Sequence, residues 1–373
     1  MDVSLNLCAG EMVEVLSKEE ILATLDRNGR YKNLPFMPEM FQYCGQPFRV
    51  YKRAHKTCDF VTHTGSRRLL DCVHLEEIRC DGAAHGGCSA ACLIFWKEAW
   101  LKRMPAEDSR ADRVTSSSIA PTISLTPMNR TCSEEDVWRG TRAPGQKVDE
   151  ADPTYICQAT HLPIYTQPLS PWDMRQFVED YRSHNVPSLW SMVPRFLYRM
   201  YDNVINLGIG WGPLLRWLYD GFQRVRGGLP YPAHPGKIPL GAKTPTHSLN
   251  LQIGEMVRVK DYRTILETID ANYRNRGMSF SAEMAPYCGG AYRVRSLVDR
   301  IINEQTGKML HMKNSCVILD GVVCQARYNS RMIFCPRATF PYWREIWLER
   351  VERPETASSQ PIQCGVNHNR DHR

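Results

Sequence analysis

Three cysteines and a histidine lie within thirteen consecutive residues, in the segment 80–92, CDGAAHGGCSAAC. Zinc ions and iron–sulfur clusters need several thiolates that converge on one point, usually from a tight loop and a more distant segment. The glycines of this loop allow the backbone to curl around an ion. The spacing and residue types therefore predict a metal site, with zinc favoured over an iron–sulfur cluster.

A ligand from outside the loop is needed to complete such a site. Cys44 is the predicted one, because it lies in a Tyr-Cys-Gly turn that recurs later in the chain. Cys72 is a poorer choice, since a strand over 72–80 would place it about 26 Å from Cys80 at roughly 3.3 Å per residue. The predicted ligands are Cys44, Cys80 and Cys88, with His85 or Cys92 as the fourth. The alternative is that these cysteines are small buried hydrophobic residues.

An internal repeat shows that the whole segment belongs to a duplicated unit. SLNLCAGEMV at 4–13 recurs as SLNLQIGEMV at 248–257. The offset of 244 residues continues to the pair Cys80 and Cys324 and, after an insertion of three residues, becomes 247 at the pair Cys88 and Cys335. Self-similarity of this length indicates gene duplication.

The second copy retains only part of the predicted ligand set. Cys288, Cys324 and Cys335 occupy the shared positions. No histidine or cysteine lies between Cys324 and Cys335, so His311 or water is the expected fourth ligand. The second copy is therefore predicted to have an open metal site or to have lost its metal.

Matched carboxylates are the other candidates for chemistry. Glu98 and Glu345 lie in duplicated Trp-x-Glu-x-Trp motifs, and Glu39 and Glu283 lie in duplicated loops. A carboxylate beside two indoles could bind or catalyse with a raised pKa. The favoured interpretation is structural: the tryptophans form one packed face and Glu98 pairs with a basic neighbour. A phosphate-binding glycine loop, a nucleophile elbow and an HExxH helix are missing.

Each copy shows short strand patterns separated by tight turns. GEMVxV is typical of an alternating strand, and 18–26 is typical of a helix capped by Ser17 with Glu20 three residues later. Strands are also predicted over 46–52 and 69–80, and an aromatic helix over the Trp-x-Glu-x-Trp segment. The predicted fold class is α+β, with two small SH3-like β-barrel modules, each closed by a C-terminal helix.

The modules are predicted to be joined by a partly disordered and partly helical, aromatic-rich connector. The expected boundaries are a first module at 1–104, a flexible linker at 105–170, a helical connector at 171–228, a Pro/Gly linker at 229–247, a second module at 248–352 and a tail at 353–373. The basic and aromatic residues of 189–226 favour an amphipathic helical pair. Core packing against the modules is the favoured interpretation, with a docking face for a protein partner or a peripheral membrane contact as alternatives.

Composition limits the classes of function only loosely. The net charge of +7 permits contact with phosphate or anionic lipid without demanding it. The N-terminal segment lacks a basic start followed by an apolar run, so no signal peptide is predicted. A cytoplasmic protein is therefore expected, and fourteen cysteines there favour metal ligands or buried thiols over disulfides.

The motifs YCG, CDGAAHGGC and FWKEAWL, followed by YCGG, CPR and PYWREIWL, resemble a family of uncharacterised bacterial Cys-rich proteins with duplicated modules. That family has no established activity, and the resemblance implies an accessory role in polysaccharide or natural-product biosynthesis. The run CDGAAH is also similar to the signature of CDGSH-type iron–sulfur proteins. It has one residue too many before His85 and lacks the upstream Cys-x-Cys.

Three functions remain open on this basis. A zinc-binding, non-catalytic adaptor or accessory protein with a protein partner is favoured. A metal- or thiol-dependent enzyme with an open site in one module is the first alternative. A nucleic-acid-binding protein, with aromatic platforms on small barrels, or an iron–sulfur redox protein is the second.

Overall fold

The computed structural model describes residues 4–105, 132–208, 210–329 and 332–351. The predicted tail at 353–373 and most of the first half of the predicted linker lie outside these residues. The α+β class is confirmed, because short helices alternate with several small antiparallel sheets. No helix among the described residues is long and apolar enough to span a bilayer.

The first module is built on a curled five-stranded antiparallel sheet. Its regular elements are β1 (Met12–Val15), α1 (Lys18–Thr24), β2 (Arg30–Tyr31), β3 (Leu34–Pro35), β4 (Pro47–Arg53), β5 (Lys56–Asp59), β6 (Gly65–Arg68), β7 (Cys72–Leu75), β8 (Trp96–Lys97) and β9 (Leu101–Arg103). The strand order is β8-β7-β4-β1-β9. The predicted capping box is confirmed, since Ser17 and Glu20 each accept the other's backbone N–H at the start of α1.

The predicted helix over the Trp-x-Glu-x-Trp segment is wrong. This segment consists of the edge strand β8, a single 3-10 turn at Glu98–Trp100, and the opposite edge strand β9. Trp96 and Trp100 are both fully buried. Both reach the core, Trp96 from the edge strand β8 and Trp100 from the end of the 3-10 turn. A spacing of four residues does not distinguish this arrangement from a helical face.

The predicted SH3-like barrels are also wrong. Among the described residues, the ladders end at β8 on one edge and β9 on the other, and none of the sheets is closed into a barrel. In the described part of each module no C-terminal helix closes the sheet, and the last elements there are the strand β9 and its counterpart in the second copy. Three residues join the two edge strands, so the sheet curls strongly without a ladder between its edges.

The connector carries one short strand and most of the helices. Its regular elements are α2 (Glu134–Arg139), α3 (Leu162–Tyr165), β10 (Gln167–Leu169), α4 (Arg175–Arg182), α5 (Val193–Ile205) and α6 (Gly212–Arg226). The described part of the predicted linker is folded onto the first module, where β10 extends the β5–β6 hairpin to three strands. The predicted helical pair in 189–226 is present as α5 and α6.

The second module repeats the first. Its regular elements are β11 (Met256–Val259), α7 (Tyr262–Leu266), β12 (Arg274–Asn275), β13 (Met278–Ser279), β14 (Ala291–Leu297), β15 (Arg300–Ile302), β16 (Met309–His311), β17 (Cys316–Leu319), β18 (Trp343–Arg344) and β19 (Leu348–Arg350). The order β18-β17-β14-β11-β19 matches that of the first sheet. Even the register shift recurs, between Val50 and Lys52 in one copy and between Val294 and Ser296 in the other.

The two modules contact each other through reciprocal hairpins. The backbone N–H of Ile302, on β15, donates to the Cys88 sulfur of the first module at 3.4 Å. In the equivalent contact, Cys58 on β5 packs against Cys335 of the second module. These two pairs correspond under the repeat offsets of 244 and 247 residues. Each cysteine loop is therefore covered by the other module's hairpin.

Candidate metal centre

Glu39, Cys80 and His85 come together at one point of the first module. One ligand atom from each lies within 4.8 Å of the others, so the three side chains could hold a metal ion. Glu39 lies in the 3-10 helix Pro38–Tyr43, and His85 ends the 3-10 turn Ala83–His85. The side chains of Glu39 and His85 are each only 1% exposed. In the described part of the chain, no other group of three candidate ligands comes this close together.

Two glycines set the shape of the loop that carries His85. Gly82 and Gly86 flank the turn in left-handed conformations, with φ of 74° and 64°. A Cβ on Gly82 would lie 2.3 Å from the Cys88 carbonyl oxygen, and one on Gly86 would lie 2.1 Å from the Tyr155 hydroxyl. Only glycine combines this backbone conformation with such close approach, so the predicted role of these residues in curling the loop is confirmed.

The Glu39 carboxylate is the centre of the cluster. Its Oε1 accepts the backbone N–H of Ala84 at 3.0 Å and lies 2.6 Å from His85 Nδ1. The Cys80 thiol points to the same oxygen at 3.9 Å. The second carboxylate oxygen of Glu39, Oε2, is buried without a hydrogen-bond partner. An unpartnered oxygen on a buried carboxylate is costly, and a cation held between the three side chains would satisfy it.

The charge state of this pair follows from its contacts. Burial raises the pKa of Glu39, but the hydrogen bond and the charge of His85, with backbone N–H groups, outweigh burial and leave the pKa lowered. His85 Nε2 lies 3.0 Å from the Ile156 carbonyl oxygen. Both ring nitrogens thus face oxygen acceptors. Because its pKa is lowered, Glu39 is a carboxylate at neutral pH, and it accepts a hydrogen bond from His85 Nδ1.

The contact with Ile156 also has the form expected of a metal-binding histidine. Such a histidine usually donates its second ring N–H to a backbone carbonyl or carboxylate, which fixes the ring orientation. Here Nε2–H is held by Ile156, and Nδ1 is the nitrogen that faces Glu39 and Cys80. A metal at Nδ1 would replace the proton that His85 shares with Glu39.

Cys80 is a neutral thiol in the absence of a cation. Burial, followed by the negative charge of Glu39 and the neighbouring Cys92, raises its pKa well above its usual value. Thiol ligands bind metals as thiolates, so metal binding at Cys80 releases a proton.

A small cavity adjoins the cluster on its sulfur-rich side. It has a volume of about 50 Å³ and is lined by side chains of both modules and the connector. The polar and sulfur-bearing side chains around it include Cys80, His85, Cys88, Cys92, Cys157, Glu304 and Arg337. A cavity needs about 10–15 Å³ of such volume for each water, so this one admits a few waters and excludes a substrate of ordinary size.

The predicted ligands of the first module are placed as follows. Cys80 and His85 belong to the cluster, and Cys88 and Cys92 line the adjoining cavity outside it. Burial raises the pKa of Cys92 to about 12. Cys44 caps the 3-10 helix of Glu39 at its far end, where the charges closest to it belong to Lys18 and Glu19. Metal binding by Cys44, Cys88 or Cys92 stays a prediction.

Glu39 is the functional residue that the sequence-based ligand set lacks. Its duplication as Glu283 was a usable signal, because each glutamate lies in an otherwise largely apolar loop. A charged residue in such a loop is buried only when it is paired or binds a metal. No residue pattern in the sequence could have indicated Ile156, because it contributes only its backbone carbonyl oxygen.

The second module contains a partial copy of the site. Glu283 Oε1 accepts the backbone N–H of Tyr328 at 2.5 Å, which corresponds to the Ala84 contact of Glu39. Burial, followed by the charge of Glu283, raises the pKa of Cys324 to about 12. The position of His85, however, is occupied by Asn329. No cluster of three candidate ligands is found in the described residues of this module.

The other predicted ligands of the second module lie apart from one another. Cys335 is buried with Cys58 and Ala326, and Cys288 caps its 3-10 helix as Cys44 does. His311 is an exposed residue of β16. Metal binding by Cys288, Cys335 or His311 stays a prediction.

The duplicated glutamates beside tryptophan have a structural role. Glu98 is buried and accepts hydrogen bonds from Ser4, Asn6 and Leu7, together with an ion pair to Arg53 at 2.7 Å. Glu345 makes the equivalent contacts with Ser248, Leu249, Asn250 and Leu251. The predicted pairing of Glu98 with a basic neighbour is confirmed, and the repeated Ser-Leu-Asn-Leu motif forms the binding site of its carboxylate.

The chain matches no protein-family model, no curated protein and no solved structure. The arguments about function below therefore rest on the geometry of the site.

Proposed function

We propose that this protein binds one zinc ion through Glu39, Cys80 and His85, and that it acts as a non-catalytic adaptor whose first module is stabilised by that metal. The observation that carries the proposal is the buried cluster itself, with an unpartnered carboxylate oxygen and a histidine oriented by Ile156. Nitrogen, sulfur and carboxylate oxygen together form a ligand set that suits zinc. The hard cations magnesium and calcium prefer oxygen ligands alone.

A structural metal would link two separate segments of the chain directly and a third through His85. Glu39 follows β3, and Cys80 and His85 belong to the loop between β7 and β8, while Ile156 of the connector holds His85 Nε2. Binding to the three ligands stabilises the folded state relative to the unfolded chain. The adaptor proposal also agrees with the small volume, about 50 Å³, of the cavity directly beside the cluster.

A metal-dependent enzyme is the second candidate, and one observation favours it. Three protein ligands are typical of catalytic zinc sites, which keep a fourth position open. Cys80 and His85 also line the cavity to which Cys88, Cys92 and Cys157 contribute, so a fourth ligand or a water could come from that side. Cobalt substitution separates the candidates, because exogenous cyanide changes the visible spectrum of an open site and leaves a closed site unchanged.

Metal analysis of the purified protein tests the binding proposal directly. We expect about one zinc per chain, lost in Glu39→Gln and Cys80→Ser. The matched variants of the second module, Glu283→Gln and Cys324→Ser, should retain it. Full zinc content in the two first-module variants would overturn the assignment, and a brown protein containing iron would replace it with an iron–sulfur site.

A further inference from the structure

The helices α5 and α6 expose an unusual amount of apolar surface. In α6 the exposed apolar residues recur every three or four positions and therefore lie on one face of the helix. Their exposed fractions are Leu214 51%, Trp217 68%, Leu218 48%, Phe222 59% and Val225 92%. No residue of α6 is fully buried. This face contradicts the favoured interpretation of the segment as ordinary core.

A second apolar stripe runs along α5 and just beyond it. Its members are Val193, Leu197, Met200, Val204 and Leu207, each at least 41% exposed. The opposite faces of both helices pack on one cluster that includes Tyr198, Tyr219 and Tyr231. Since both inner faces meet the same tyrosines, both apolar stripes point away from them toward solvent. Trp190 and Trp211, 84% and 63% exposed, lie just before the two helices.

A basic groove opens beside these stripes. It has a volume of about 780 Å³, and Leu197 of α5 and Phe222 of α6 both line it. The charged residues of its lining are Lys52, Arg195, Arg226 and Arg327, and none of its lining residues is acidic.

The positive charges of this groove are poorly compensated. The pKa of Lys52 is lowered by burial and then by the charge of Arg195, and the pKa of Arg195 is lowered by burial and then by that of Arg327. Two acids lie near Arg195, but Asp180 is ion-paired with Lys56, and Glu283 accepts the Tyr328 N–H.

The acids of the helical pair itself are also engaged. Asp202 accepts the Tyr231 hydroxyl at 2.6 Å, and Asp220 accepts the Tyr231 N–H and contacts His234. They are the two acidic residues of the segment 189–228. The exposed face thus combines apolar stripes, tryptophans and a basic groove, without a free carboxylate on the helices. This combination is complementary to an anionic lipid surface.

We infer that α5 and α6 lie in the surface of an anionic phospholipid bilayer, with their apolar stripes among the acyl chains and a headgroup phosphate in the basic groove. The length of α6, about 22 Å at 1.5 Å per residue, suits a helix lying in the membrane plane. A second copy of the chain fits less well, because it would bring two such basic grooves toward each other. This inference is independent of the zinc proposal.

Vesicle flotation of the full chain tests the inference. The wild-type protein should float with vesicles of phosphatidylcholine and phosphatidylglycerol, and remain unbound with phosphatidylcholine alone. The double variant Trp217→Ser/Phe222→Ser should bind the anionic vesicles about tenfold or more weakly, from its lost apolar area. The double variant Arg195→Gln/Arg327→Gln should lose about fivefold per arginine, with a weaker dependence on salt.

Ile253→Ser is the matched control, because it removes an apolar side chain that is 67% exposed on the second module. It should bind as the wild type does, and circular dichroism should show that all variants are folded. Absence of vesicle binding would overturn the inference, as would full binding by Trp217→Ser/Phe222→Ser. A dimer in lipid-free solution that this variant abolishes, without vesicle binding by the wild type, would assign the face to a second copy instead.

Discussion

Replacing His85 by asparagine should destabilise the metal-free protein in a strongly pH-dependent way. The substitution reproduces the residue found at the equivalent position of the second module, Asn329. It removes the imidazole nitrogen that lies 2.6 Å from Glu39 and leaves a carboxylate that is 1% exposed. The Ala84 N–H and the Cys80 thiol are then its remaining contacts.

The size of the effect is limited by the carboxyl group itself. An unpaired buried charge costs about 3–5 kcal/mol, but the group can take up a proton instead. From its ordinary pKa of 4.5, protonation at about pH 7 costs roughly 3 kcal/mol at 1.4 kcal/mol per unit. At about pH 5 the same step costs less than about 1 kcal/mol.

The sign of this pH dependence follows from the linkage between proton binding and folding. In the wild type the pKa of Glu39 is lowered, so the pair stabilises the fold above pH 4.5 and loses that effect as the pH falls through the lowered value. In His85→Asn the hydrogen bond and charge of His85 are lost, and we expect burial to outweigh the remaining backbone N–H contacts and to raise the pKa of Glu39. The penalty is therefore present at neutral pH and fades as the pH falls toward 4.5. We expect the destabilisation relative to the wild type to be about 2 kcal/mol larger at about pH 7 than at about pH 5.

Urea unfolding with a chelator at the two pH values measures this difference. Asn275→Ala is the matched control, because Asn275 is buried, its side-chain amide donates to the carbonyl oxygens of Pro245 and Thr268, and it does not titrate. Its penalty should therefore not change between the two pH values. Equal penalties for His85→Asn at the two pH values would refute the hydrogen-bonded carboxylate at Glu39.

Three further results are expected. Cys88→Ser should retain the zinc content of the wild type, because Cys88 lines the cavity outside the cluster; loss of zinc by elemental analysis would instead make it a ligand. Asn329→His should raise the zinc content toward two per chain, since it restores the missing imidazole beside the second-module glutamate; unchanged content would show that the second loop is not equivalent. Gly86→Ala should lower stability by about 1–3 kcal/mol in thermal unfolding and weaken zinc binding, because its Cβ would meet the Tyr155 hydroxyl. Gly45→Ala, with a similar φ of 72° and open space around it, measures the cost of the left-handed backbone conformation alone. An equal loss of stability in both variants would exclude a contribution from the contact with the Tyr155 hydroxyl.

The reciprocal hairpins tie the candidate metal centre to the rest of the molecule. Ser89, four residues after His85, donates its backbone N–H to Arg300 and its hydroxyl to Asp299 of the second module. Tyr155, next to Ile156, donates its backbone N–H to Gly307. The loop and the connector segment around the cluster are therefore held from outside the first module.

The duplication could be read from the sequence, because matching residues recur at a constant offset over some seventy positions. The same is true of α1, whose capping box is a local pattern of hydrogen bonds between residues three apart. The loop of Cys80 and His85 was also identified from its residues, since glycines and metal-binding side chains were concentrated in one short segment.

Tertiary structure decided the remaining features. Trp96 and Trp100 are four residues apart, and only the pairing of β8 with β7 shows that Trp96 lies in a strand and Trp100 ends a 3-10 turn, instead of both lying on one helical face. Cys44 is near Glu39 in the chain but lies at the opposite end of the same short 3-10 helix. Glu39 and Ile156 reach His85 from 46 and 71 residues away. Local patterns record what neighbouring residues prefer, whereas a metal site depends on which distant segments the core brings together.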